Sequence, residues 1–204
     1  MDLLSYKKAK DVESVVTFNA KNLIENGHFY DGINGWDTIL GDIEVVGGIL
    51  NFMPTAVNGR AYQTVENESS STFYVAALVK ATTNLAGIGM GYSMWENHSG
   101  GGEYERLTYL HTRSTTNYPS VVNSTDVEVD KLVLVKNFLT INLTDVFGEG
   151  NEPSIDVMDE LMEKFPDSWF DGNGNLFNAE HFIKMYLNKM EELDNAIIEL
   201  GGNP

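Results

Sequence analysis

Tyr92, Trp95, Tyr104 and Tyr109 fall on two strand-like runs either side of Ser99-Gly-Gly-Gly102, with Asn97, Glu103, Glu105 and Arg106 close by in sequence. Sugar rings present apolar C–H faces that stack on aromatic side chains, and hydroxyls that need hydrogen bonds from amides, carboxylates or guanidinium groups. A triple-glycine tip between two aromatic-bearing strands supplies both, so Trp95, Tyr92, Tyr104, Glu103 and Arg106 form the candidate glycan-binding set, to be weighed against the usual fate of strand aromatics, which is the core.

Other chemistry is poorly represented. The four histidines, His28, His98, His111 and His181, have no zinc-type spacing. Cysteine is absent, which removes disulfides, thiolate ligands and thiol nucleophiles. Gly87-x-Gly89-x-Gly91 lies within a strand-like run, where it marks a bulge and not a nucleotide loop. Carboxylate pairs are abundant in so acidic a chain; Glu103 and Glu105 have the spacing of one strand face that a glycosidase pair could use, and solvated edge residues beside the glycine loop explain them equally well. Asp171-Gly-Asn-Gly-Asn175 opens like a calcium loop, but Leu176 and Phe182 stand where an EF-hand needs glycine and a carboxylate. The chain is therefore expected to carry no catalytic residue, metal or cofactor.

Charge narrows the partners. Thirty acidic against 13 basic residues give a net charge of -17, which disfavours nucleic acid and anionic membranes. Residues 145–204 hold 14 of the acidic and 3 of the basic residues, so most of the excess lies there. No secretory leader is evident at the start, and assembly in a cytoplasm is the expectation.

The elements that must position these residues read as mainly β. Candidate strands are Ile43–Val46, Ile49–Met53, Ala61–Glu66, Thr72–Ala81, Gly87–Trp95, Tyr104–Thr112, Asp126–Val129 and Leu132–Asn142, which suit a jelly-roll β-sandwich. Gly47-Gly48 between two apolar runs predicts a hairpin. Three regions follow: an N-terminal helical docking arm over 1–20, a sandwich over 21–146, and an acidic helical segment over 147–204. In that last segment Asn151 or Glu152 caps a helix with Pro153 in its first turn, whose buried face is Ile155, Met158, Leu161, Met162 and Phe165. A second helix carries Ile183, Tyr186, Met190, Leu193, Ile197 and Leu200 on one narrow seam, as in a coiled coil, and predicts a homo-oligomer, a trimer by preference.

Two segments carry a resemblance. Asn22-Leu-Ile-Glu-Asn-Gly-His-Phe29 with Gly32 and Gly35-Trp36, then Ala61-Tyr-Gln-Thr-Val65 and Phe73–Lys80, resembles the opening of carbohydrate-binding-module jelly rolls. Leu139–Pro153, with Ile141-Asn-Leu-Thr144 and Gly150-Asn-Glu-Pro153, is similar to the segment that closes such jelly rolls in tail, baseplate and fibre proteins of phages of Gram-positive bacteria. The resemblance implies a virion component that contacts other virion proteins and, as an adhesin, host cell-wall polysaccharide. A stand-alone carbohydrate-binding module is the alternative, with a polysaccharide-degrading enzyme behind it. Where the family has a calcium-liganding acidic pair in the last strand, this chain has Lys136-Asn137, so the implied structural calcium loses its ligands.

Overall fold

The computed structural model describes residues 18–66, 70–91, 93–113, 116–123 and 131–176, with 93–95 and 121–123 described through their backbone. The docking arm expected over 1–20 lies outside these residues apart from its last three. The seam residues Ile183, Tyr186, Met190, Leu193, Ile197 and Leu200, the expected strand Asp126–Val129, and Tyr92 lie outside them altogether.

Two five-stranded antiparallel sheets face each other in a jelly-roll β-sandwich. One has the order β2 (Asp37–Ile39), β5 (Arg60–Tyr62), β10 (Pro119–Asn123), β7 (Ala86–Met90), β8 (Ser93–Asn97). The other runs β3 (Gly41–Val46), β4 (Ile49–Pro54), β11 (Val133–Asn142), β6 (Ser71–Lys80), β9 (Tyr104–Arg113). Alternation sends Phe73, Val75, Ala77 and Val79 of β6, Leu107 and Tyr109 of β9, and Leu50 and Phe52 of β4 into the shared core, where Trp36 is 5% exposed. The β3–β4 hairpin turns on Gly47 and Gly48, at φ +60° and +75°, which only glycine adopts without strain. The expected strand Gly87–Trp95 is two strands, parted at Gly91 with φ +65°, and β7 and β8 pair with a bulge between Ile88 and Gly89.

The compact unit containing the sandwich is Asn19–Gly174, so residues 147–174 fold with it. Asn142 accepts from the N–H of Asp145 and caps a short helix α1 (Leu143–Phe147), which Gly148 closes at φ +86°. Helix α2 (Ile155–Met162) starts after Ser154, later than the sequence suggested. Glu152 is not its cap because its carboxylate accepts from the Thr144 hydroxyl at 2.6 Å, and that oxygen accepts from the Thr72 N–H. Met158, Leu161 and Met162 are buried as expected, each contributing roughly 1.5–3 kcal/mol. Tyr74, Ala76, Leu139 and Ile141, on the outer face of the β6–β11 pair, are fully buried as well, and Asp159 of α2 accepts from the Tyr74 hydroxyl on that face.

Apart from the two large sheets, β1 (Phe18–Lys21) pairs with β12 (Asn173–Leu176) as a short two-stranded ribbon. Asn173-Gly-Asn175, the second half of the calcium-like segment, is thus extended chain. Next to this ribbon the Asn22 N–H donates to the Gly172 carbonyl at 2.7 Å.

Candidate functional site

The expected glycan-binding residues are distributed over both sheets. Trp95 is on β8, the edge of one sheet, and Tyr104 and Arg106 are on β9, the edge of the other, because the His98–Glu103 connection crosses between sheets. That connection is tied down. The Gly100 N–H donates to His98 Nδ1 at 2.8 Å, which leaves Nε2 as the donor to the Glu103 carbonyl, also at 2.8 Å, and the imidazole is fully buried. Ser99 donates through its N–H at 2.8 Å and its hydroxyl to the Glu105 carboxylate. These two bonds, hydroxyl first, hold Glu105 below the usual carboxylate range.

Chemically this loop is a staple. The Ser99 hydroxyl is spent on Glu105 and the His98 ring on backbone groups, so no hydroxyl–imidazole pair exists here to make a nucleophile. Glu103 is exposed and contributes its carbonyl, whereas Glu105 turns its carboxylate back to Ser99.

Arg106 is drawn into structure. Its guanidinium donates to the Tyr74 hydroxyl at 3.0 Å, and Tyr74 donates to Asp159 of α2 at 2.6 Å. Thr108 donates to the other Asp159 oxygen at 3.1 Å. One carboxylate from α2 thus gathers three side chains of the outer sheet face, and burial above all keeps the Tyr74 phenol protonated.

Tyr104 is half-buried on the same outer face. The ammonium of Lys136 is 4.4 Å and that of Lys80 5.8 Å from its ring centroid.

An aromatic pair that sequence reading missed lies on the first sheet. Tyr62 of β5 and Tyr118, just before β10, meet edge to face at 5.9 Å between centroids, and the Arg60 guanidinium carbon is 5.4 Å from the Tyr62 ring. Ala61 faces the core, so its neighbours Arg60 and Tyr62 belong to the outer face. The middle of that face is shielded, with Arg60 at 6% and Ser120 at 0% exposure; Tyr118, at 37%, is its accessible part. Around the pair stand the exposed Asp37, cross-strand from Tyr62, and Thr116, whose hydroxyl donates to Glu66 at 2.8 Å. The one sequence signal was Tyr118-Pro119, since proline favours the first position of a strand.

Asn137, at φ +52°, forms a bulge in β11 after Lys136, and no group of three or more histidine or acidic side chains that could hold a metal occurs among the described residues.

No family model matches the chain, and no curated protein does. Among solved structures it is similar to a family 4 carbohydrate-binding module, CBM4, at 13% identity and TM-score 0.42, over 58% of this chain and 99% of that one. It is similar to the module TmCBM61, determined with β-1,4-galactotriose, at 14% identity and TM-score 0.36, over 60% of this chain and 99% of that one. The enzymatically active domain of tailspike protein 4 from bacteriophage CBA120 matches at 15% identity and TM-score 0.42, over 59% of this chain and 21% of that one. No function follows from likenesses this distant.

Proposed function

We propose that this chain is a non-enzymatic virion component whose sandwich binds glycans of the host cell surface. The observation that carries the binding half is the Tyr62–Tyr118 pair: two rings packed on each other, one of them 37% exposed, with the Asp37 carboxylate and the Thr116 hydroxyl beside them. An exposed phenol ring beside polar donors and acceptors is what a sugar needs for stacking and orientation. The order of carbohydrate-binding-module-like segments along 22–142 supports the same reading.

Tyr118→Ala is expected to weaken binding to purified cell-wall polysaccharide about tenfold, equivalent to 1.4 kcal/mol, with the melting temperature nearly unchanged. Undiminished affinity in a folded variant would reject the pair as the glycan site.

The virion half rests on the similarity of Leu139–Pro153 to phage tail, baseplate and fibre proteins, together with the apolar seam. In this reading the seam joins copies of the chain, as a trimer by preference. Changing Ile183, Met190 and Ile197 together to Asp is expected to convert an oligomer to a monomer in light scattering. A wild-type chain that is already monomeric would remove self-association from the proposal.

A further inference from the structure

We infer that Lys80, Lys136 and Tyr104 form a subsite for the anionic groups of an acidic polysaccharide, on the opposite sheet from the tyrosine pair. The inference deepens the glycan-binding reading and rests on it for the class of polymer, while its geometry is independent.

Residues facing outwards in one row across the five strands are Glu44, Asn51, Leu134, Lys80 and Tyr104, fixed by consecutive cross-strand pairings. Lys136 lies two residues along β11 from Leu134 on the same face, since Val133 and Val135 between and beside them point into the core. Both ammonium groups converge on the Tyr104 ring, at 4.4 Å and 5.8 Å from its centroid.

Neither ammonium has a carboxylate within 4.0 Å among the described residues, in a chain where acidic residues outnumber basic ones 30 to 13. Arg106, the next outward residue of β9, is by contrast engaged by Tyr74. Glu103, adjacent to Tyr104 in sequence, pairs with neither lysine. Glu44 is three strand spacings from Lys80, about 14 Å at 4.8 Å per strand, beyond the screening length of about 8 Å at physiological salt.

Two like charges held on one ring repel each other, and cation–π attraction of about 0.5–1 kcal/mol each does not neutralise them. A phosphate or carboxylate between them would. The shared chemistry is a repeated anion, whether phosphodiester or uronate.

The full chain is titrated calorimetrically with a glycerol-phosphate oligomer, an oligogalacturonate and neutral cell-wall glycan. Wild type is expected to bind one of the anionic oligomers with affinity that falls as salt rises. Which oligomer binds identifies the source of the anion. Lys80→Gln with Lys136→Gln should cost at least tenfold for that oligomer and leave the neutral glycan unaffected, whereas Tyr118→Ala should do the reverse. Shifts of the Tyr104 and Lys136 amide signals in wild-type protein locate the site without relying on any variant. Failure of both anionic oligomers to bind, equal binding by the double variant, or amide shifts elsewhere would overturn the subsite; failure of the wild type to bind the neutral glycan while it binds an anionic oligomer would count against the tyrosine pair instead.

Discussion

Asn22→Ala lowers the stability of the sandwich by about 3–5 kcal/mol. The side chain is 4% exposed, and its amide is shared among distant segments. It donates to the carbonyls of Phe138 and Phe170, at 3.4 Å and 3.2 Å, and accepts from the N–H groups of Ile24 and Thr140, both at 3.1 Å. Phe138 keeps a donor, the Trp169 indole at 3.0 Å, but the other three backbone groups lose this partner. A buried polar group left unpaired costs roughly 1–3 kcal/mol. For a unit of this size, each kcal/mol moves the melting temperature by about 2–4 °C, so a fall on the order of 10 °C is expected by calorimetry. Asn22→Asp keeps the acceptor and loses the donors, and should fall between the two. A drop under about 2 °C for Asn22→Ala would mean that these segments are held together by something else.

Above pH 10 the protein loses stability steeply. Tyr74 and Tyr109 are both buried, and desolvation is the largest cause that pushes each phenol above its ordinary value of 10.0. At Tyr74 the Asp159 carboxylate adds to the shift and Arg106 opposes it. In the folded chain both keep their protons while the unfolded chain releases them, so above pH 10 the folded state binds more protons and stability falls as pH rises; below pH 10 the contribution is complete. Two phenols give about 2.7 kcal/mol per pH unit, close to 3 kcal/mol by pH 11. Urea denaturation at pH 8, 10 and 11 reads this directly. Tyr109→Phe should halve the alkaline slope, while costing about 1–3 kcal/mol at neutral pH by depriving the Gly89 carbonyl of its 2.7 Å bond. Stability that stays flat from pH 9 to 11 would show that neither phenol is sealed from water.

Local chemistry was legible in the sequence, and long-range pairing was not. Gly47-Gly48 announced its hairpin because the positive φ is a property of those two residues alone. The helical spacing of Met158, Leu161 and Met162 named a buried face without saying that the face covers the outer side of a sheet. Trp95 and Tyr104 are nine residues apart, yet their strands belong to different sheets, because the crossing at His98–Glu103 is invisible to strand periodicity. Tyr62 and Tyr118 are joined only by the β5–β10 register, in which Ser120 stands opposite Tyr62. Arg106 looked available for a ligand because its partners come from Tyr74 and, through it, from Asp159 on a helix much later in the chain. Glu152, read as a helix cap, was diverted by Thr144, a competition between two acceptor roles that spacing cannot decide.

The N–H of Asn22 and the carbonyl of Gly172 are 2.7 Å apart, so the chain enters and leaves the compact unit at neighbouring points. A module with adjoining ends can be spliced into a surface turn of an unrelated carrier without prying that turn apart. The same adjacency means that tension applied at Phe18 and Leu176 falls first on the β1–β12 pairing.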